Sequence, residues 1–506
     1  MRRGFLLNRE SLYSPYPTRN KKPNRDDCRL FADNSAAAAS PLPDAPPYTV
    51  KELKDWGKKN VRLSDDPSMS AKVNLRDLGL NQQLVFRNIK VGTVEVSTLL
   101  DCEVLNLLPT RFSPPPVPLE NAFEFRQTKN RGVGAFATRD IRAAALLHVE
   151  IPTTVMQNTM VLNFGMTKAE VYSQLLRRVP EKTQPALLSL NNSQPPGMYE
   201  LEEGILRSNT LNVSMPAPAV AAPAAMGHNG LFLDASRLNH SCSPNVVHRF
   251  DPQSFALIVH TIRPIAKGEE IVHSYIDLKT TTTRDARRSL LRDLCHFECL
   301  CDRCTLPDPV AVRDSDIRRQ RIHDTKREEV VAPLEAWYRS NGRDDLDKVI
   351  AFHLAAVEDM RIEGLYHYSY FLHISLLAVS FAALEDIRGF RSWIGKARDV
   401  ALSNLASDAA LEMLKYIVYP ETFPSWGLAR KMRNRPWAVV SHHILSRALI
   451  TSVSPEEPLT MLLRIGTQLQ HDVHICICSA RMSLIQNYIW KSPAREGVVR
   501  RAKVAA

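Results

Sequence analysis

The sequence has no run of apolar residues approaching the roughly 18–20 needed to cross a bilayer, so no membrane span is expected. Its opening residues, MRRGFLLNRE, hold too short an apolar core for a secretory signal. Pro15, Pro17 and Pro23 break up the amphipathic helix that a mitochondrial presequence would need. No strong surplus of acid is present: 65 Lys and Arg stand against 54 Asp and Glu, a net charge of +11. That balance favours acidic partners, yet the basic residues are spread along the chain and form no clear nucleic-acid stripe. Residues 154–228 contain no cysteine at all, which excludes a cysteine-based zinc module from that stretch. What is present is the composition of an ordinary globular protein, 44% hydrophobic and 24% charged, in a chain of 506 residues, enough for two or three domains.

Residues 1–48 carry many prolines, the run Ala36–Ala39 and few large apolar side chains, and are expected to form a disordered basic tail. Residues 49–118 form an N-terminal segment without an assignable role. Alternation at Leu84, Phe86, Ile89, Val91, Val94 and Val96 predicts one or two strands, and four prolines in 111–118 read as a linker. Phe123 and Phe125 suggest a short strand, Arg131–Ala137 (RGVGAFA) a turn, and Ile141–Val149 a returning strand. Gly132 and Gly134 lack a Cβ and so permit close approach of the backbone to a ligand.

Thr167 with Glu170 is a capping-box pattern that predicts a helix through Val171, Leu175 and Leu176; a second helix is expected at Gln184–Leu190. Residues 215–225 (MPAPAVAAPAA) read as a loop. Val246–Phe250 and Phe255–Thr261 flank a turn at Asp251-Pro252-Gln253, the pattern of a hairpin, and Val272–Tyr275 reads as a short strand.

Four of the nine cysteines fall between 295 and 304. Cys299, Cys301 and Cys304, spaced C-x-C-x2-C, offer three thiolates of a zinc tetrahedron, and spacing alone allows Cys295 as a fourth. Four thiolates would leave a net negative charge for Arg284, Arg287, Arg288 and Arg303 to offset. Cys476 and Cys478, with His471 and His474, fall in a helical pattern and read as core positions. Helical periodicity recurs at Ile317–Ser340, Leu346–Glu363, Tyr366–Leu384, Trp393–Leu405 and His442–Thr451, with Pro420, Pro424 and Pro436 as breaks.

Taken in order, RGVGAFA at Arg131–Ala137, RLNHSCSPN at Arg237–Asn245, SYID at Ser274–Asp277 and FECLCDRC at Phe297–Cys304 resemble the SET-domain protein lysine methyltransferases. The likeness is to the split-SET branch that includes the SET-and-MYND proteins, and it covers roughly residues 123–304. It implies an α+β fold: a SET β-fold with a pseudoknot over 119–278, split by an insertion at 154–228. A zinc-bound post-SET segment at 279–310 and an all-α helical array at 311–506, similar to tetratricopeptide arrays, would follow. It implies S-adenosylmethionine as cofactor, held by Arg131, Gly132, Gly134, Asn209, Asn239, His240, Tyr275 and Phe297. Tyr275 would stand at the transferring methyl. Cys242 would be the fourth zinc ligand beside Cys299, Cys301 and Cys304. Missing cysteines in the insertion mean that the MYND finger of that family is absent here.

The activity this resemblance implies is methylation of a lysine in a protein substrate, in the nucleus and/or cytoplasm, with partners on the helical array. A second reading, from a different class, is a catalytically silent SET-like scaffold that binds protein partners through its helices. Histones, ribosomal proteins and translation factors all fit these motifs as substrates.

Overall fold

Alternating apolar positions at Leu84–Val91 (β1) and Val94–Asp101 (β2) fold as an antiparallel hairpin. The computed structural model describes residues 84–158, 167–216, 227–366, 369–404 and 407–433, all within the unit Pro46–Ala506. Asp101 ends the hairpin and caps a short helix, Cys102–Leu107 (α1), its carboxylate accepting the Glu103 N–H at 2.8 Å.

Residues 84–101 join the central sheet. β2 lies parallel to Thr154–Gln157 (β6), so that β1 and β2 form one edge of a five-stranded sheet. Its order is β1-β2-β6-β8-β7, where β7 is Thr210–Val213 and β8 is His228–Leu231. The proline-rich stretch is also anchored: Phe112 packs on Phe255 at 5.1 Å, and the Ser113 N–H donates to the Gln253 carbonyl.

Phe123–Gln127 (β3) pairs with Val133–Ala137 (β4), which corrects the expected turn: the reversal occupies Thr128–Gly132, and Gly134 lies within a strand. The returning strand is shorter than expected, Leu146–Glu150 (β5). Ile141 makes only an isolated bridge to Ile265, and Ala144 has φ 55°. In the insertion, the capping box at Thr167 starts Lys168–Arg177 (α2) as expected, followed by Gln184–Leu188 (α3) and Leu201–Asn209 (α4). Residues 217–225 of the expected loop lie outside the described residues.

Asn239–His240 (β9) precedes the hairpin of Val246–Asp251 (β10) and Ala256–Thr261 (β11), which pairs with β5. Glu270–His273 (β12) then runs between β4, antiparallel, and β9, parallel. Two backbone bonds, Ser241 N–H to His273 O at 2.8 Å and Asn245 N–H to Val272 O at 3.0 Å, lock the segment around Cys242 against this strand.

The helical part consists of Arg284–Cys295 (α5), Pro309–Asp324 (α6), Arg327–Arg339 (α7), Leu346–Glu363 (α8), Ser369–Ala383 (α9), Ile387–Ser403 (α10), Ser407–Val418 (α11) and Leu428–Arg433 (α12). The expected helix Ile317–Ser340 is therefore two, separated at Thr325 and Lys326. The one expected from Trp393 begins at Ile387 instead, because the Asp386 carboxylate accepts the N–H groups of Arg388 and Gly389. α9 is apolar on all sides, and α7, α8 and α10 pack around it; it is the axis of the array. The expected helix at 442–451 and the residues Cys476, Cys478, His471 and His474 lie outside the described residues.

No boundary in the core separates the segment 279–310 from the helices. Cys242, Cys299, Cys301, Cys304, Leu278 and Leu291 belong to the same buried cluster as Trp337, Ile350, Phe371 and Ile394.

Candidate active site and metal centre

The NHSC stretch is built on a carboxylate cap. Glu150, at the end of β5, accepts the backbone N–H groups of Leu233, Asp234 and Ala235, which fixes the turn leading to Leu238. β9 then presents Asn239 and His240 beside β12.

His240 is buried, and its Nδ1 accepts the Tyr275 N–H at 3.0 Å. That bond places the ring proton on Nε2, which lies 3.3 Å from Cys242 Sγ. Burial pulls the imidazole down to about 3, so it is neutral at physiological pH. Tyr275 donates its hydroxyl to the Leu238 carbonyl at 2.8 Å. Its ring is tilted against His240 at 5.4 Å and His273 at 4.9 Å, and stands edge-on to Phe297 at 6.1 Å. The residue keeps 39% of its surface exposed while its hydroxyl end is enclosed. That enclosure, helped by Cys295 and Glu270, raises the phenol above its ordinary range and keeps it protonated.

Arg131 and Asn239 are joined by a residue that sequence reasoning passed over. Glu270, on β12, forms an ion pair with Arg131 through one carboxylate oxygen and accepts the Asn239 amide at 2.8 Å through the other. Gly134 makes room for this clamp: a Cβ there would lie 2.6 Å from Glu270 Oε1 and 2.8 Å from Asn239 Nδ2. Space over Gly134 is thus occupied by side chains of the protein. Gly132, at φ 65°, faces open space. The strand expected at Val272–Tyr275 runs instead over Glu270–His273, and nothing local in the sequence singled out Glu270.

Asn209, at the end of α4, is placed differently from the others. Its side-chain nitrogen donates to Asn191 O at 2.6 Å and Ile205 O at 2.8 Å, and its backbone carbonyl accepts the Ser236 hydroxyl. These bonds tie the insertion to the turn before the NHSC stretch. The described structure therefore gathers Arg131, Asn239, His240, Tyr275 and Phe297 around Glu270 and Leu238, with Asn209 supporting from behind.

The sulfurs of Cys242, Cys299, Cys301 and Cys304 all lie within 4.8 Å of one another and are buried. Cys242 Sγ is 4.0 Å from Cys299 Sγ and 3.6 Å from Cys304 Sγ, close to the edge of about 3.8 Å of a tetrahedron with Zn–S near 2.3 Å. Cys295 is not in this group, which answers the choice the spacing left open. The donor set is that of a structural zinc site. Around it are two wholly buried arginines, Arg287 and Arg319. Arg288 instead pairs with Glu298, and Arg284 with Asp285.

Arg319 was not a candidate from the sequence. It donates to the Cys242 carbonyl at 2.8 Å, and to the Glu363 carboxylate at 2.8 Å and carbonyl at 3.0 Å. Glu363 is fully buried and also accepts Ser315 and Arg318. Burial opposes its charge, but Arg319 and these hydrogen bonds outweigh it and hold the carboxyl below its usual range. Gly364 ends α8 against the motif; a Cβ there would lie 2.6 Å from Ser243 Cβ.

A recess of about 680 Å³ lies elsewhere, lined by Thr283, Arg284, Val312, Arg313 and Ile317 among others, and none of the Tyr275 group contributes to it.

Comparison with known proteins fits this geometry. Residues 132–276 match the family model of the SET domain. Histone-lysine N-methyltransferase set5 of Schizosaccharomyces pombe is 29% identical over 193 residues, 38% of this chain and 53% of that protein. N-lysine methyltransferase SMYD2-B of Danio rerio is 36% identical over 103 residues, 19% of this chain and 23% of that protein. Protein-lysine N-trimethyltransferase SMYD5 of Mus musculus is 39% identical over 77 residues, 15% and 18% of the two chains. The chain thus spans about half the length of the first of these curated relatives and less of the others.

Proposed function

We propose that this chain, which carries a SET domain, transfers a methyl group from S-adenosylmethionine to the ε-amine of a lysine in a protein substrate. The observation that carries the reading is the placement of Tyr275. Its hydroxyl is anchored on Leu238 O, its backbone is anchored on His240, and its ring is half open beside Phe297.

S-adenosylmethionine, when bound, supplies an activated methyl group on a cationic sulfur. The lysine amine would take that methyl through its nitrogen lone pair, and the sulfur would leave as a neutral thioether with the electron pair of the broken carbon–sulfur bond. The proton shed by the amine goes to solvent. This needs a neutral amine in line with the methyl, and no strong base. Burial next to a cation lowers the pKa of the incoming lysine.

The residues divide that work. Because the Tyr275 proton is committed to Leu238 O, the oxygen lone pairs remain to accept from the amine N–H and aim its own lone pair at carbon. Phe297 offers an aromatic face to a cation, worth about 0.5–2 kcal/mol. Open space at Gly132 and the Arg131–Glu270–Asn239 clamp support the reading that the cofactor is held there. Zinc on the four cysteines has a structural role, closing the loop that carries Phe297 over the site. The same reading puts the protein in the nucleus and/or cytoplasm, where lysine-bearing protein segments are its partners.

Incubation of the purified, folded, zinc-loaded protein with labelled S-adenosylmethionine and a proteome extract tests this. Label on lysine with wild type, reduced about 100-fold by Tyr275→Phe, is the expected result, the scale of a positioned catalytic hydroxyl. No transfer by wild type refutes the enzyme and leaves the scaffold.

A further inference from the structure

Arg287 and Arg319 come from different helices, α5 and α6, and both side chains are at 0% exposure. Buried guanidiniums are expected to have their N–H groups paired. Here Arg287 Nε and Nη2 and Arg319 Nη1 have no hydrogen-bond partner among the described residues. Arg287 bonds the Thr282 carbonyl through Nη1, and Asp316 stands 3.9 Å away. Burial works against its charge, but the neighbouring Cys242 and Cys304 sulfurs outweigh it and hold the guanidinium above its ordinary range, so its charge stands within reach of the cluster. Arg319 holds the Cys242 carbonyl and also feels the Cys242 sulfur.

The two arginines also repel each other. Two like charges buried together are tolerated only with anions between them. Glu363 does not fill that need alone, since Arg318 shares it. Ionised sulfurs do. Four thiolates around one zinc leave two surplus negative charges, and two guanidiniums return them. The unpartnered N–H groups and the charge of the cluster answer one another.

We propose that Arg287 and Arg319 complete the four-cysteine centre, Arg287 by N–H···S contacts and Arg319 by gripping Cys242 from the helical array, so that the array is a structural half of the metal site. This rests on the zinc reading of the cluster and not on the methyl-transfer reading. The array would then retain the metal, and through Phe297 shape the site, without touching cofactor or substrate.

The test uses the full chain loaded with zinc or with cobalt(II). Arg287→Met and Arg319→Met are expected to release zinc to a chromogenic chelator at least about tenfold faster, the usual effect of losing such a supporting group. In the cobalt form the sulfur-to-metal charge-transfer band is expected to move to longer wavelength in Arg287→Met, because a thiolate that loses an N–H donor is richer in electrons. Arg287→Lys, which keeps charge and donor, should restore most of both. A purely packing role moves neither readout once the variant is folded. Unchanged release and an unchanged band in folded variants overturn the proposal. Should Arg319→Met not fold, Arg319→Met with Glu363→Gln removes both charges of the pair; wild-type zinc retention by that variant overturns it equally. A wild-type chain without stoichiometric zinc, or without the bands of tetrahedral thiolate-bound cobalt, overturns the zinc reading itself.

Discussion

At the scale of single residues, the site works by committing polar groups to one another before any ligand arrives. His240 has both ring nitrogens engaged, one by the Tyr275 backbone and the other towards Cys242, so a backbone anchor for the tyrosine and a metal ligand share one imidazole. Glu270 likewise joins the β3–β4 turn to β9. Glu270→Ala releases Arg131 and Asn239 together. The expected outcome is a loss of about tenfold in affinity for S-adenosylhomocysteine by calorimetry, comparable to one charged hydrogen bond. An unchanged affinity would show that the clamp serves only the fold. Phe297→Ala is expected to weaken binding of S-adenosylmethionine, measured by calorimetry, by about 2- to 30-fold, the range of a cation–π contact, with zinc content unchanged. Equal affinity with intact zinc would remove Phe297 from the site.

At the scale of elements, α8 and α9 are joined by a histidine pair. His353 Nδ1 and His373 Nδ1 are 3.0 Å apart, and both residues are essentially inaccessible. Burial lowers His353 to about 3 and His373 to about 4. Unfolded histidines titrate near 6.5, so between these values the unfolded chain binds more protons than the folded one. Stability from the pair is therefore complete above roughly pH 6.5 and is lost as pH falls towards 4. The loss at pH 5 is about 2 kcal/mol per histidine. Urea midpoints for wild type should fall steeply from pH 7.5 to pH 5. In His353→Leu/His373→Leu the fall should be shallower; an identical slope would assign the acid sensitivity to the other buried histidines.

At the scale of the whole molecule, the shared core has a thermodynamic consequence. Thiolate–zinc bonding contributes folding energy to whatever the ligands hold. The cysteines pack in one cluster with Trp337, Phe371 and Ile394, and Arg319 and Glu363 fasten α6 and α8 to Cys242 and Ser243. Removing one partner of a buried ion pair of this kind costs about 3–5 kcal/mol. Chelation of zinc is thus expected to lower the melting temperature of the helices as well as of the sheets, in one transition, followed by far-ultraviolet circular dichroism. A helical transition that ignores the chelator would mean that the array folds independently.

The four short motifs were legible in the sequence because each depends on residue type at close spacing: paired glycines, cysteines at C-x-C-x2-C, asparagine beside histidine. Local patterning also disclosed the β10–β11 hairpin, the capping box of α2 and the full extent of α8. Pairings over long separations were decided only by the tertiary structure. β2 on β6 made residues 84–101 part of the central sheet. Cys242 met cysteines nearly sixty residues away, and Cys295, nearer in sequence, did not join them. Glu270, Arg319 and Glu363 carried no local signal, since a charged residue in a strand or helix ordinarily faces water. Their roles come from burial, where an unpaired charge is costly and each partner must be supplied by an element folded from elsewhere in the chain.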